Sequence, residues 1–194
     1  MRTPARTAKA VLLGVLLPVL FACSSPASAS PIIFDRWYEF GFTAAGVPAT
    51  SCITCTPSSG TPTTFLDNPP WTFSAPASGA ALTVTDAFVG GDRFELFDFG
   101  LSIGLTSAPV VPATCGNDPV PCLANASMSH GVFLLGSGNH SLTVIPTLTP
   151  LGDGAAYFRI DAQAAAVPEP ASMLLLGTGC AVLARMRRRR AAKV

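Results

Sequence analysis

Between residues 32 and 160 apolar and polar positions alternate in short bursts, and no 3.6-residue helical period emerges. The run 32–43 places Phe34, Tyr38, Phe40 and Phe42 on one face, with Arg36 interrupting, and Asp35, Glu39 and Thr43 on the other. That alternation predicts a half-buried strand. Similar runs predict strands at 71–73, 81–85, 94–99, 101–105, 131–135, 141–145 and 155–160. Gly90, Gly91 and Asp92 make a turn, and the segment 136–140 reads as a hairpin connection. Segments 44–70 and 107–126 are rich in Pro, Gly, Ser and Thr and read as loops. Seven or eight short strands with such punctuation predict an all-β domain over 30–161, an antiparallel β-sandwich of jelly-roll-like type.

The pattern changes at both ends. Arg2, Arg6 and Lys9 precede an apolar run over 10–22, and Ala27-Ser28-Ala29 offers the small-x-small pattern read by signal peptidase. A signal helix within residues 1–29, cleaved after Ala29, is predicted, with the Sec translocon and signal peptidase as partners. A competing reading takes Leu20-Phe21-Ala22-Cys23 as a lipobox, with Cys23 lipidated. At the other end, a small-residue linker (162–167) leads to Pro168-Glu169-Pro170, an apolar stretch to Ala184, and Arg185, Arg187, Arg188, Arg189 and Arg190. An arginine cluster of this density cannot be buried unpaired, so it reads as a cytoplasmic stop behind a transmembrane helix. The stretch 171–184 would give about 21 Å of helix against a hydrocarbon core of about 30 Å, a gap that snorkelling arginines and local thinning reduce.

These basic ends mask the character of the middle. The whole chain has a formal charge of +1, yet segment 30–170 holds only Arg36, Arg93 and Arg159 against all eleven acidic residues, a balance of −8. Such a domain cannot neutralise phosphates, which excludes nucleic acid as a partner. An anionic polysaccharide would likewise be repelled unless a cation bridged the two.

Four cysteines fall in the exported part, Cys52, Cys55, Cys115 and Cys122. In an oxidising compartment they read as disulfides, and the local pairs Cys52–Cys55 and Cys115–Cys122 are favoured among the three connectivities. The rival for Cys-x-x-Cys is zinc, but the second pair does not repeat that spacing. A redox role of thioredoxin type lacks its strand–helix context.

The remaining chemistry is sparse. His130 and His140 sit at strand starts and read as structural or surface residues. No Gly-x-Ser-x-Gly elbow is present, and Glu95 and Asp98 fall on opposite faces of one strand, the wrong arrangement for flanking a glycosidic bond. Asp86, Asp92 and Asp98 are weak Ca²⁺ candidates, with solvated turn aspartates as the alternative. Trp37 and Trp71 are candidate sugar-stacking platforms, although their aromatic neighbours favour core burial. No catalytic residue, cofactor or metal is assigned.

The order Pro168-Glu169-Pro170, apolar helix, arginine cluster resembles the PEP-CTERM sorting signal of Gram-negative bacteria, over 168–194. The resemblance implies recognition of the tripeptide by exosortase, a membrane protease, and removal of the helix and basic tail. The two prolines fit that role, since they keep the tag extended. The same resemblance links the pathway to exopolysaccharide and biofilm formation. The blocks 82–86, 91–98 and 133–142, the last with a Leu-x-x-Gly-x-His turn, also look like jelly-roll carbohydrate-binding modules. The sequence therefore predicts a non-enzymatic exported protein, transiently anchored in the inner membrane and then placed at the cell surface or in the matrix. The alternatives are a carbohydrate-binding module and, behind it, a secreted hydrolase.

Overall fold

The computed structural model describes residues 31–52 and 55–164. Eleven strands and one helix follow in the order β1 (Trp37–Phe42), β2 (Thr63–Phe65), β3 (Trp71–Ala75), β4 (Ala80–Asp86), β5 (Phe88–Val89), β6 (Arg93–Asp98), β7 (Leu101–Leu105), β8 (Thr114–Gly116), α1 (Pro119–Ala124), β9 (His130–Leu135), β10 (Gly138–Leu148) and β11 (Gly154–Ala162). A five-stranded sheet runs β2-β1-β11-β4-β9 and a four-stranded sheet runs β3-β10-β6-β7. Their pairings are antiparallel except β1 with β2.

The two sheets share one core. Tyr38, Phe40, Leu82, Val84, Phe158 and Ile160 from the larger sheet meet Trp71, Phe94, Leu96, Leu142 and Val144 from the smaller. Aromatic contacts carry its centre: the Trp71 ring lies 5.0 Å from Phe158 and 5.6 Å from Phe40, and Phe40 meets Phe94 edge-on at 5.8 Å. All eight predicted strands are present, and on the first the alternation puts Tyr38, Phe40 and Phe42 on the core side.

Their connections differ from the expectation at one point. The segment 136–140 is no hairpin: β9 pairs with β4, whereas β10 pairs with β3 and β6 in the opposite sheet. The chain turns a corner there, and the β3–β4 connection turns the same corner beside it. Gly79, at φ 84°, lets the two connections touch, since a Cβ would lie 2.5 Å from the Leu135 carbonyl oxygen. Among the eight long strands only β6 and β7 are neighbours in both sequence and sheet.

The first strand also differs. It starts at Trp37, because Asp35 takes a left-handed conformation (φ 61°) just before it. All six of its residues are buried, so it is covered on both faces rather than half-buried. The cover comes from the two long loops. Trp37, Tyr157, Ala87 and Cys122 form a second small core with Phe88, Cys115 and Leu123 on the outer side of the larger sheet. The helix α1 supplies Cys122; it is capped by Asp118, which accepts from the Val120 amide at 3.0 Å, and it opens on proline. Asn117 ties the two loops together. Its amide donates to the Thr56 and Pro57 carbonyls at 3.1 and 2.9 Å, and its Oδ1 accepts from the Tyr157 hydroxyl at 2.6 Å.

Candidate functional site

The loops cover the outer face of the larger sheet at β1 but not at its β9 edge, where Val132 and Leu134 are exposed, and the rim of the four-stranded sheet is open as well. A cleft of about 420 Å³ lies there, lined by Thr72, Phe73, Phe99, Asn139, His140 and Ser141. The strands β3 and β10 set its walls through the pairs Thr72 with Ser141 and Phe73 with His140. The turn between β6 and β7 sets its lip. In that turn Phe99 and Gly100 both have positive φ, 48° and 77°. A two-residue turn of this kind favours Asn-Gly, and a bulky residue in the first place is strained. Phe99 nevertheless occupies it, with 65% of its surface exposed.

His140 forms the polar floor. Its Nδ1 lies 2.7 Å from Asp98 Oδ2 and its Nε2 lies 3.0 Å from the Gly136 carbonyl oxygen. The carbonyl only accepts, so Nε2 is the donor to it. The His140–Asp98 pair is stacked on Phe73, 5.1 Å away. Asp98 Oδ1 accepts from the Ser141 amide at 2.9 Å, which locks the pair to β10. Because Nε2 is committed to a carbonyl, this histidine has no free nitrogen to activate a serine. His140 is 8% exposed, and is thus a buried structural element rather than a surface ring. His130 bonds the Met128 carbonyl at 2.9 Å and is half-buried.

The three aspartates considered for Ca²⁺ do not converge. Asp98 belongs to the smaller sheet and is engaged by His140. Asp86 ends β4 in the larger sheet and is fully buried. Its Oδ1 accepts from the Ala87 amide at 2.8 Å, and its Oδ2 accepts from the Gly91 and Asp92 amides, each at 3.2 Å. The buried Asp92 carboxyl is its neighbour. Burial, then the charge of Asp92, push Asp86 up to about 7 against those amide bonds. Burial also raises Asp92 to about 6, opposed by its hydrogen bond to Asp86. The two oxygens of Asp86 are therefore spent on the β4–β6 crossover. Glu95, another acid weighed from the sequence, accepts from Ser102 at 2.6 Å.

Neither tryptophan is a platform for a sugar. Trp71 is 1% exposed, donates its indole N–H to the Asp67 carbonyl at 2.7 Å, and is packed in the main core. Trp37 is 4% exposed beneath the Arg159 guanidinium, 5.2 Å from its ring centre. Phe99 is more exposed than the other exposed aromatic, Phe65, and its one visible signal in the sequence is a phenylalanine before glycine where a tight turn prefers asparagine. The four cysteines among the described residues are disulfide-bonded in the favoured pairs, Cys52–Cys55 and Cys115–Cys122.

Among the described residues no helix is long and apolar enough to cross a membrane. The apolar stretch 171–184, the arginines at 185 and 187–190, the sorting triplet Pro168, Glu169 and Pro170, and the signal-cleavage residues Ala27 and Ala29 all lie outside those residues.

A β-rich, disulfide-stapled domain followed by a proline–acid–proline tag, an apolar stretch and arginines defines the class of exported, tail-sorted proteins. Residues 166–190 match the PEP-CTERM protein-sorting motif. That motif indicates a protein exported and sorted via the membrane to the cell surface by an exosortase pathway, with exosortase, a membrane protease-like enzyme, as its processing partner. No curated protein and no solved structure matches the chain.

Proposed function

We propose that the mature protein is a non-enzymatic surface or matrix component of a Gram-negative cell that associates with exopolysaccharide through the cleft at Phe99. The carrying observation is Phe99 itself, an exposed ring held in a left-handed turn that asparagine would fill without strain. Aromatic faces stack on the apolar face of a sugar ring, and Asn139, Thr72 and Ser141 supply hydroxyl and amide partners beside it. Counting only the eight long strands, the sheets read first–eighth–third–sixth and second–seventh–fourth–fifth. That is the order of a jelly roll, an architecture shared with lectin domains, so the analogy supports the reading at the level of fold. The charge of −8 over 30–170 points to a neutral glycan, or to an acidic one bridged by cations. Export through Sec, cleavage by signal peptidase and release by exosortase bring the domain to that setting, within exopolysaccharide or biofilm.

Affinity electrophoresis in gels cast with the host's exopolysaccharide tests this. The wild-type protein is retarded and Phe99→Asn is not, while Phe99→Asn melts higher because the turn strain is relieved. Unretarded wild-type protein, or equal retardation of the variant, refutes the reading and leaves a purely structural role.

A further inference from the structure

Glu39 is an acid enclosed on all sides. It lies on β1 opposite the main core, is 0% exposed, and its Oε2 accepts from the Thr63 hydroxyl at 3.2 Å. Its Oε1 is buried with no hydrogen-bond partner among the described residues. One carboxylate oxygen and the sulfurs of Cys52 and Cys55 all lie within 4.8 Å of one another. A second cleft, of about 170 Å³, opens over the disulfide and is lined by Gly41, Phe42, Thr50, Cys52, Cys55 and Asp153 among others. Cys55 is half-buried at this cleft and Cys52 is 6% exposed.

An unpartnered buried carboxyl oxygen is costly, and a disulfide has no proton to share with it. Opening the disulfide changes that, since a thiol or thiolate then stands beside the carboxyl. The ring also spans only three residues of separation, against seven for Cys115–Cys122, so on the loop-entropy scale opening it costs the fold less. We propose that Cys52–Cys55 is a thiol–disulfide exchange centre, reacting once per encounter, in which Glu39 transfers the proton to and from the buried sulfur.

The step starts with a dithiol reductant entering the cleft. Its thiolate attacks Cys55 Sγ, forming a mixed disulfide. The Cys52–Cys55 bond breaks, and its electron pair goes to Cys52 Sγ, which takes the proton of the Glu39 carboxyl. The reductant's second thiolate then attacks its own sulfur in the mixed disulfide, closing the reductant's disulfide and releasing Cys55 as a thiolate. Cys55 and Glu39 are reprotonated from solvent, replacing the two protons lost by the reductant. Two electrons have moved from the dithiol to the cysteine pair, and the reverse sequence reoxidises it.

Burial, against the hydrogen bond from Thr63, holds the Glu39 carboxyl above the usual carboxylate range, so it keeps its proton where surface acids have lost theirs. The titratable group facing it is Tyr157, its register partner on β11, and Asp153 lines the cleft over the disulfide. Arg159, on the same strand, is engaged by Asp161 at 2.9 Å, and Asp118 interacts with Tyr157.

The test uses the full chain in oxidised form, reduced by dithiothreitol under native conditions and trapped with N-ethylmaleimide, with each pair followed by peptide mass spectrometry. The expected result is that Cys52–Cys55 opens about tenfold faster than Cys115–Cys122. Its rate per unit of dithiothreitol thiolate rises as pH falls and Glu39 gains its proton. In Glu39→Gln that rise disappears and the rate at pH 6 drops about tenfold, with Cys115–Cys122 unchanged. Equal rates for the two pairs overturn the proposal. So does a wild-type rate that follows thiolate concentration alone, a readout that needs no variant, or a Glu39→Gln profile superimposable on wild type.

Discussion

Replacing Asp92 by asparagine tests whether the acid pair at the β4–β6 crossover shares a proton. Asp86 is raised from an ordinary 3.8 to about 7, with Asp92 at about 6 beside it. At pH 5 the unfolded aspartates are ionised while the native pair still holds its proton, so the native state binds more protons. The contribution is complete below about 3.8 and is lost as pH rises through about 6 to 7. A rise of about three units at about 1.4 kcal/mol each sets a ceiling of about 4 kcal/mol, counting the shared proton once. For a domain of this size 1 kcal/mol corresponds to roughly 3–5 °C, so the melting temperature should fall by about 10 °C between pH 5 and pH 8. Asp92→Asn keeps the shape and removes the neighbouring charge. Asp86, left with three amide donors, then ionises more easily, and the fall should shrink by about half or more. Scanning calorimetry from pH 5 to 8 on both proteins provides the comparison. A wild-type midpoint that is flat or rising over this range, or a variant that keeps the full slope, refutes the shared proton.

Other outcomes follow from the packing. Phe158→Ala, at the centre of the main core, should cost about 3–5 kcal/mol in urea unfolding. Trp71→Ala should behave like it, losing stability rather than selectively losing glycan affinity, because its ring faces are filled by Phe40 and Phe158. Replacing both Cys115 and Cys122 by serine should cost about 2.5 kcal/mol on the loop-entropy scale, read as a shift in the urea midpoint. Asn117→Ala should speed proteolysis within 44–62, since the loop loses two side-chain hydrogen bonds to the 114–124 segment; unchanged cleavage would show that the bonds from Ser58 and Ser59 to the Asn117 carbonyl hold the loops together without the side chain.

The strands were legible because the alternation is a local property that the buried face writes directly into the sequence. Tyr38, Phe40 and Phe42 needed no knowledge of their partners to be placed on one face. Sheet membership was not legible in the same way. The segment 136–140 has the composition of a hairpin turn, and only the competition of β4 for β9 and of β3 and β6 for β10 turns it into a corner. Glu39 was assigned to solvent because the alternation cannot see that distant loops fold back over the outer face. The short helix α1 escaped because six residues with two prolines carry no period. Local disulfide pairing was readable from spacing, whereas the buried acid beside Cys52 and the exposed ring of Phe99 depend on tertiary placement.

The account rests on the tail being a removable address and the β-domain being the working molecule. Intact-mass analysis of the protein recovered from its host's surface or extracellular fraction tests that directly. The predicted species has a new C-terminus at 167–170, beside the Pro168-Glu169-Pro170 tag, and lacks the arginines at 185 and 187–190. A surface protein still carrying the complete arginine tail would contradict it.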